Sequence, residues 1–135
     1  MASAVKEQLL ERGMALLLRQ GYNHLGIAEL LKETDVPKGS FYHHFQSKEE
    51  FGVQVVDRYM KEVHGGLDRC LGNPDVPPLK RVRDFFELSE EKYRSEGYLG
   101  CLLGGLGQEL SGISDLFRAK VEECFREIER RIAAC

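Results

Sequence analysis

The sequence contains no apolar run approaching the ~20 residues that a bilayer-spanning helix needs, so no membrane helix is expected. Its first residues, MASAVKEQLLERG, carry Glu7 and no compact apolar stretch ending at a cleavage site, which argues against a secretory signal. No two of the four cysteines, Cys70, Cys101, Cys124 and Cys135, form a C-x-x-C pair, and this removes zinc and thioredoxin-type readings. A disulfide framework is not expected in a chain with this much potential core, and a reducing, cytoplasmic compartment is. Positive charge is not in excess, because the 135 residues carry a formal net charge of −3. Such a chain does not coat nucleic acid by bulk charge, although a sequence-specific reader needs only a local cluster of cations. Strand alternation, internal repeats, low-complexity tracts, cofactor motifs and metal-ligand spacings are also lacking.

Helical periodicity is present throughout. With 42% apolar and 30% charged residues the chain is expected to fold, and the helical period makes the expected class all-α. Val5, Leu9, Leu10, Met14 and Leu17 line one side of a first helix that Gly21 closes. Ile27, Leu30, Leu31 and Thr34 follow helical spacing in a short second helix. Pro37 breaks it by disfavouring a helical Val36, and Lys38 to His44 form a third, very short helix. Ser47 and Glu50 make a capping box flanked by Phe45 and Phe51. A long fourth helix follows, with Phe51, Val55, Tyr59, Val63 and Leu67 on one stripe, as far as the Gly72–Pro78 break. Leu79, Val82, Phe86 and Tyr93 mark a fifth helix closed by Gly97. Leu99, Leu102, Leu103, Leu106 and Leu110 mark a sixth, in which Gly100, Gly104, Gly105 and Gly107 point to close helix approach or to looseness. Ser114 caps a last helix bearing Phe117, Val121, Cys124, Phe125, Ile128 and Ile132. Two domains are expected: residues 1–46, a helix-turn-helix bundle, and residues 47–135, a larger helical body.

The informative stretch is GYNHLGIAELLKETDVPKGSFYHHFQSKEEF, residues 21–51. A short helix, a tight turn and a second short helix make a helix-turn-helix. Between the buried candidates Phe41 and Phe45, the second of these helices offers Lys38, Ser40, Tyr42 and His43: a cation, two hydroxyls and an imidazole suited to phosphates or base edges. Gly39 lets the backbone approach a partner closely. Lys48 opens the next helix, where the dipole disfavours a cation, a placement that a phosphate partner would explain. Tyr42 and His43 also have an ordinary reading as surface residues, and His44 is expected to face inward. Among residues 1–50, Lys6, Arg12, Arg19, Lys32, Lys38 and Lys48 are outnumbered by acids, leaving the segment net −1. Binding would then rest on a few placed contacts and show a moderate salt dependence.

The run from Val36 to Glu50, VPKGSFYHHFQSKEE, resembles the signature of the TetR family, in which K-G-[ST]-x-Y-x-[HY]-F forms the recognition helix and S-K-E opens the fourth helix. Gly21-Tyr22 and Ala28-Glu29-Leu30 fit upstream. The resemblance implies a transcriptional repressor that binds a palindromic operator as a homodimer and leaves it when a small-molecule or electrophile effector enters the helical body. It implies Lys38, Gly39, Ser40, Tyr42 and His43 as operator contacts and Lys48 as a phosphate contact. Where the family often places Ser or Thr at the start of the second helix, this chain has Gly26, so only a backbone amide would serve there. Pro37 also departs from the commoner Ser and stiffens the turn. Two further helices usually follow in the family, so the body is expected to be incomplete, with the apolar face of the last helix partly uncovered.

The aromatic residues Phe85, Phe86, Tyr93, Tyr98 and Phe117 are first of all core candidates. The resemblance makes Phe86, Tyr93, Cys101 and Phe117 candidates for an effector pocket, with no cofactor and no metal. Cys101, in Gly100-Cys101-Leu102, sits where a helix N-terminus raises thiol reactivity; its ordinary reading is a small buried apolar residue. Cys124 falls on an apolar stripe and is expected to be packed. An enzyme would need Cys101 and His64 as nucleophile and base, and nothing local brings them together, so no enzymatic activity is expected. The other alternative is a helical interaction module that no longer binds DNA.

Overall fold

A computed structural model describes residues 2–110, 112 and 114–135. Among the described residues there are seven helices: α1 (Ala2–Gln20), α2 (Ile27–Thr34), α3 (Lys38–His44), α4 (Lys48–Leu71), α5 (Pro78–Glu96), α6 (Leu102–Leu110) and α7 (Asp115–Ala134). No strand occurs among the described residues. None of these helices is long and apolar enough to cross a membrane.

Local chemistry sets most helix ends. Gly21 leaves α1 with φ of 83°, a backbone region that glycine enters without a Cβ penalty, and its N–H closes on Leu17 O at 2.9 Å. Asp35 ends α2 in the left-handed region at φ 54°, a conformation that aspartate tolerates better than most residues. Pro37 is then the extended N-cap of α3, its carbonyl accepting from the Ser40 and Phe41 amides. Ser47 caps α4 by accepting from Glu50 N at 3.1 Å. The Glu50 carboxylate reaches back one residue further than a simple capping box, to Gln46 N at 2.7 Å. Pro78 occupies the first turn of α5, Gly97 ends it, and Ser114 caps α7 through Phe117 N at 3.2 Å.

Two expectations need correction. Helix α6 begins at Leu102, not Leu99, because Gly100 is held at φ 145°; Leu99 is 75% exposed, and its N–H is turned back onto Leu18 O at 2.7 Å. The buried side of α5 runs through Phe85, with Val82 partly buried behind it, whereas Leu79 and Phe86 point outward at 85% and 56% exposure. The helical period allowed either neighbouring stripe, and the packing of α5 on α4 selects one.

The largest core cluster is continuous from α1–α3 into α4, α6 and α7, taking in Leu9, Leu17, Leu30, Phe41, Phe51, Val55, Leu103 and Phe117. A smaller cluster joins Leu67, Leu71 and Phe85, with Ile128 and Ile132 against it. Helix α4 lies along both. The glycines of α6 are not explained by close approach: a Cβ on Gly105 would meet nothing within 4 Å, and one on Gly107 only Val121 at 3.8 Å.

Candidate nucleic-acid interface and cavity

A seven-residue helix does not hold its shape alone, so α3 depends on what packs behind it. Phe41 and Phe45 are buried from α3 and its C-cap, and Phe51 meets them from α4. Their ring centroids lie 4.9–5.4 Å apart in tilted and edge-on arrangements. Each such buried ring stabilises by about 1.5–3 kcal/mol. The opposite face is displayed. Lys38, Gly39, Tyr42 and His43 are exposed and Ser40 is half-buried. Tyr42 is 47% exposed, with its ring edge braced on Phe41 at 5.0 Å. A Cβ on Gly39 would meet open space, so nothing in the chain's own packing demands glycine there. The same holds for Gly26, the N-cap of α2, which is exposed and offers no side-chain cap. His44 is half-buried, its ring against His43 and Phe45.

Lys48 has an explanation that the sequence did not reveal. Its ammonium donates to Tyr22 O at 2.8 Å and lies 4.2 Å from the centre of the Tyr22 ring. Burial lowers the Lys48 pKa, and the Glu109 carboxylate opposes that shift. The first-turn cation is therefore stabilised by a carbonyl and a ring within the chain, and its position alone no longer argues for a phosphate. Tyr22 is held from several directions. Its N–H donates to Glu109 Oε2 at 2.7 Å, and its ring meets Phe117 edge-on at 5.3 Å. Burial, then the Glu49 charge, raises its phenol pKa.

A second feature is a cavity of about 680 Å³ between α4, α5 and α7, reached also by Leu18 of α1 and by Tyr98 and Cys101. Its walls are largely apolar, and Phe86 and Phe125 stand at its border with about half of their surface exposed. Its polar centre is a chain of three groups: Tyr59 Oη lies 2.6 Å from Tyr93 Oη and 3.5 Å from Cys101 Sγ. Burial, reinforced by Cys101 and Tyr93, pushes the Tyr59 phenol far above its ordinary range; burial also raises Tyr93, against the Tyr59 hydrogen bond that lowers it. Both phenols are therefore neutral donors at physiological pH. At the border, Lys92 pairs with Glu62 at 2.9 Å.

Three of the four expected pocket residues line this cavity: Phe86, Tyr93 and Cys101. Phe117 does not. It is 1% exposed and packs on Tyr22 and Gly52, a seat set by the turn into α2 and therefore invisible in the α7 stripe. Cys101 is exposed rather than a buried apolar filler, because α6 starts one residue later and leaves the thiol outside the helix, beside Tyr59. Helical spacing places Tyr59 only on a core stripe; its hydroxyl is what makes it part of the site. Cys124 is buried, which pushes its thiol up to about 11. His64 Nδ1 lies 3.1 Å from Arg131, so Cys101 and His64 have different partners. No group of three or more His, Cys, Asp or Glu among the described residues could hold a metal ion.

The fold and site define an all-α protein whose N-terminal helix-turn-helix displays its second helix and whose helical body carries a partly open, largely apolar cavity. The family model for bacterial regulatory proteins of the tetR family matches residues 9–53. The chain is 37% identical over 133 residues to the transcriptional regulator AcuR of Cereibacter sphaeroides, covering 98% of this chain and 61% of that protein. It is 32% identical over 131 residues to the HTH-type transcriptional repressor DhaR of a Mycobacterium species, covering 97% and 65%. Among solved structures, the regulatory protein TetR from Rhodobacter sphaeroides superposes with a TM-score of 0.85 at 35% identity, over 93% of this chain and 67% of that one. The reduced form of NemR from Escherichia coli gives 0.75 at 34% identity, over 91% and 64%. The chain belongs to the TetR family. It spans 61% to 65% of the length of the first curated relatives it matches.

Proposed function

We propose that this chain acts as a one-component transcriptional repressor of the cytoplasm. In this reading α3 enters the major groove of an operator, and a ligand in the α4–α5–α7 cavity releases it. The observation that carries the reading is the two-sided character of α3: Phe41 and Phe45 anchored behind, with Lys38, Gly39, Tyr42 and His43 displayed in front. Lys38 and the backbone at Gly39 and Gly26 suit phosphates, while Ser40, Tyr42 and His43 suit base edges. Lys48 completes the phosphate contacts if its ammonium leaves the Tyr22 carbonyl for the DNA. A homodimer would present two such helices to half-sites about 34–36 Å apart, hence a palindrome.

The names of AcuR and DhaR, a transcriptional regulator and a repressor, support the same reading. The apolar cavity, with its Tyr59–Tyr93–Cys101 centre, suits a small, mostly apolar effector with one hydrogen-bonding group, or an electrophile captured by the Cys101 thiol. Occupancy would tilt α4, which runs from the reading head to the cavity, and so change the separation of two heads in a dimer. Selection of bound duplexes from a random pool tests this. A recovered palindrome, bound less tightly once Cys101 is alkylated or the cavity is filled, is the expected result. No enrichment above background overturns the reading and leaves a helical interaction module.

A further inference from the structure

We propose that Glu109 is the positioning residue that couples the cavity to the DNA-reading head, by holding the Gly21–Tyr22 turn to the far end of α6. This rests on the repressor reading above.

Helix α6 joins the two regions directly. Its nine residues, Leu102–Leu110, span about 13 Å. At the near end Cys101 lines the cavity, and its carbonyl accepts the first helical bond, from Gly105 N at 3.0 Å. Just before it, Leu99 N–H is pinned to Leu18 O at 2.7 Å, which makes a pivot. At the far end Glu109 Oε2 accepts from Tyr22 N at 2.7 Å. The turn is shaped for that carboxylate: a Cβ on Gly21 would lie 2.5 Å from Glu109 Oε1. Tyr22 then opens the turn into α2, and α2 leads into α3.

The middle of α6 is buried through Leu103 and Leu106 in the core cluster that also holds Leu17 and Leu18 of α1. A crevice of about 150 Å³ runs beside them from Cys101 past Gly105 to Glu109 and Tyr22, and it shares Leu18 and Cys101 with the large cavity. The other holds on Tyr22 come from α4 and α7, through Lys48 and Phe117. A tilt of α6 about its pinned near end reaches the Gly21–Tyr22 turn through the Glu109 carboxylate, beside the apolar packing of α6 in the core. This path is separate from any tilt of α4.

Linkage makes the coupling measurable without knowing the effector, because a state change at one site must be felt at the other. The probe is iodoacetamide, and the readout is its rate of reaction with Cys101, resolved by peptide mass spectrometry, with and without the duplex selected by the wild-type chain. The duplex is expected to slow Cys101 labelling about fivefold or more in the wild type. Glu109→Gln keeps an acceptor and is expected to keep the slowing. Glu109→Ala and the longer Glu109→Leu lack an acceptor; each is expected to bind duplex with the slowing of Cys101 labelling cut to half or less of the wild-type value, the remainder passing through α4 and the core. Two no-acceptor variants guard against one failing to fold, and a merely structural role would lower the melting temperature without changing the ratio of rates. More than half of the wild-type slowing in either no-acceptor variant, or none in the wild type, overturns the proposal. No duplex affinity in the wild type overturns the repressor reading and the proposal with it.

Discussion

Gly13→Ala sets helix propensity against packing, and the structure decides the sign. Gly13 is buried inside α1, where alanine is better than glycine by about 1 kcal/mol in backbone terms alone. A Cβ there, however, would lie 2.2 Å from Phe51 Cζ and 2.8 Å from Cε1, against the ~3.5–4.0 Å of ordinary carbon contact. The Phe51 ring cannot retreat freely, because it is fully buried with Phe45 at 4.9 Å and Phe41 at 5.4 Å on its other sides. Overpacking of this kind costs about 1–3 kcal/mol, and an overlap this deep belongs in the upper part of that range. The net expectation is a loss of about 1–2 kcal/mol, or roughly 3–8 °C in melting temperature for a chain of this size. The displaced rings are the ones that seat α3, so duplex affinity should fall as well. Thermal melting by circular dichroism and anisotropy of a labelled duplex measure the two effects. A variant that melts higher than the wild type and binds duplex equally well would refute the packing account of α3.

The double variant Lys38→Ala, Tyr42→Ala removes two exposed side chains, so its melting temperature should stay within a degree or two of the wild type. Its duplex affinity should fall about tenfold or more and its salt dependence should become shallower by about one phosphate contact, both read by anisotropy across a salt series. Gly105→Ala places a methyl in open space on a helix and should stabilise by about 0.5–1 kcal/mol in a urea melt, where a loss would mean that the glycine is structurally required. For Cys124, burial raises the thiol from an ordinary value of 9.0 to about 11, so the fold favours the protonated form. That contribution is intact below pH about 9 and is lost as the pH climbs from there towards 11. Stability of the wild type should therefore fall over this window more steeply than that of Cys124→Val, and equal slopes in parallel melts would contradict the assignment.

The parts of this architecture that local chemistry dictates are the parts legible in the sequence. Gly21, Ser47, Gly97 and Ser114 end or begin helices because of their own backbone and hydroxyl properties, and the structure places each at a helix boundary. The alternation of Phe41 and Phe45 with Lys38, Tyr42 and His43 likewise separates a buried from an exposed face by helical spacing alone. What failed depends on neighbours distant in the chain. Phe117 joins Tyr22 rather than the cavity because the turn after α1 lies against α7. Lys48 finds a carbonyl and a ring contributed by a residue 26 positions earlier. Cys101 is exposed because α6 starts late, after Gly100 and the Leu99–Leu18 hydrogen bond divert the backbone. Tyr59 occupies a core stripe as expected, yet its hydroxyl acquires a role only because Tyr93 and Cys101 approach from other segments.

In the proposed repressor reading, the head would offset its lack of positive charge by fixing α3 from behind. Several of its cations are already committed: Arg12 to Glu33 at 2.8 Å, Lys48 to Tyr22, and Lys6 over the Phe45 ring at 5.8 Å. Bulk attraction to a polyanion would be correspondingly small, so in that reading affinity comes from a few groups held where phosphates and base edges would be. A seven-residue helix supplies such placement only if it is fixed from behind, which is the task of the Phe41–Phe45–Phe51 cluster and of α1, into which that cluster is wedged at Gly13. The same dependence would make the head controllable. On the proposed reading, small displacements of α4, which bears Phe51, or of the Tyr22 turn, which leads into α2, would shift these contacts, with no surplus of charge to keep a misaligned head on DNA.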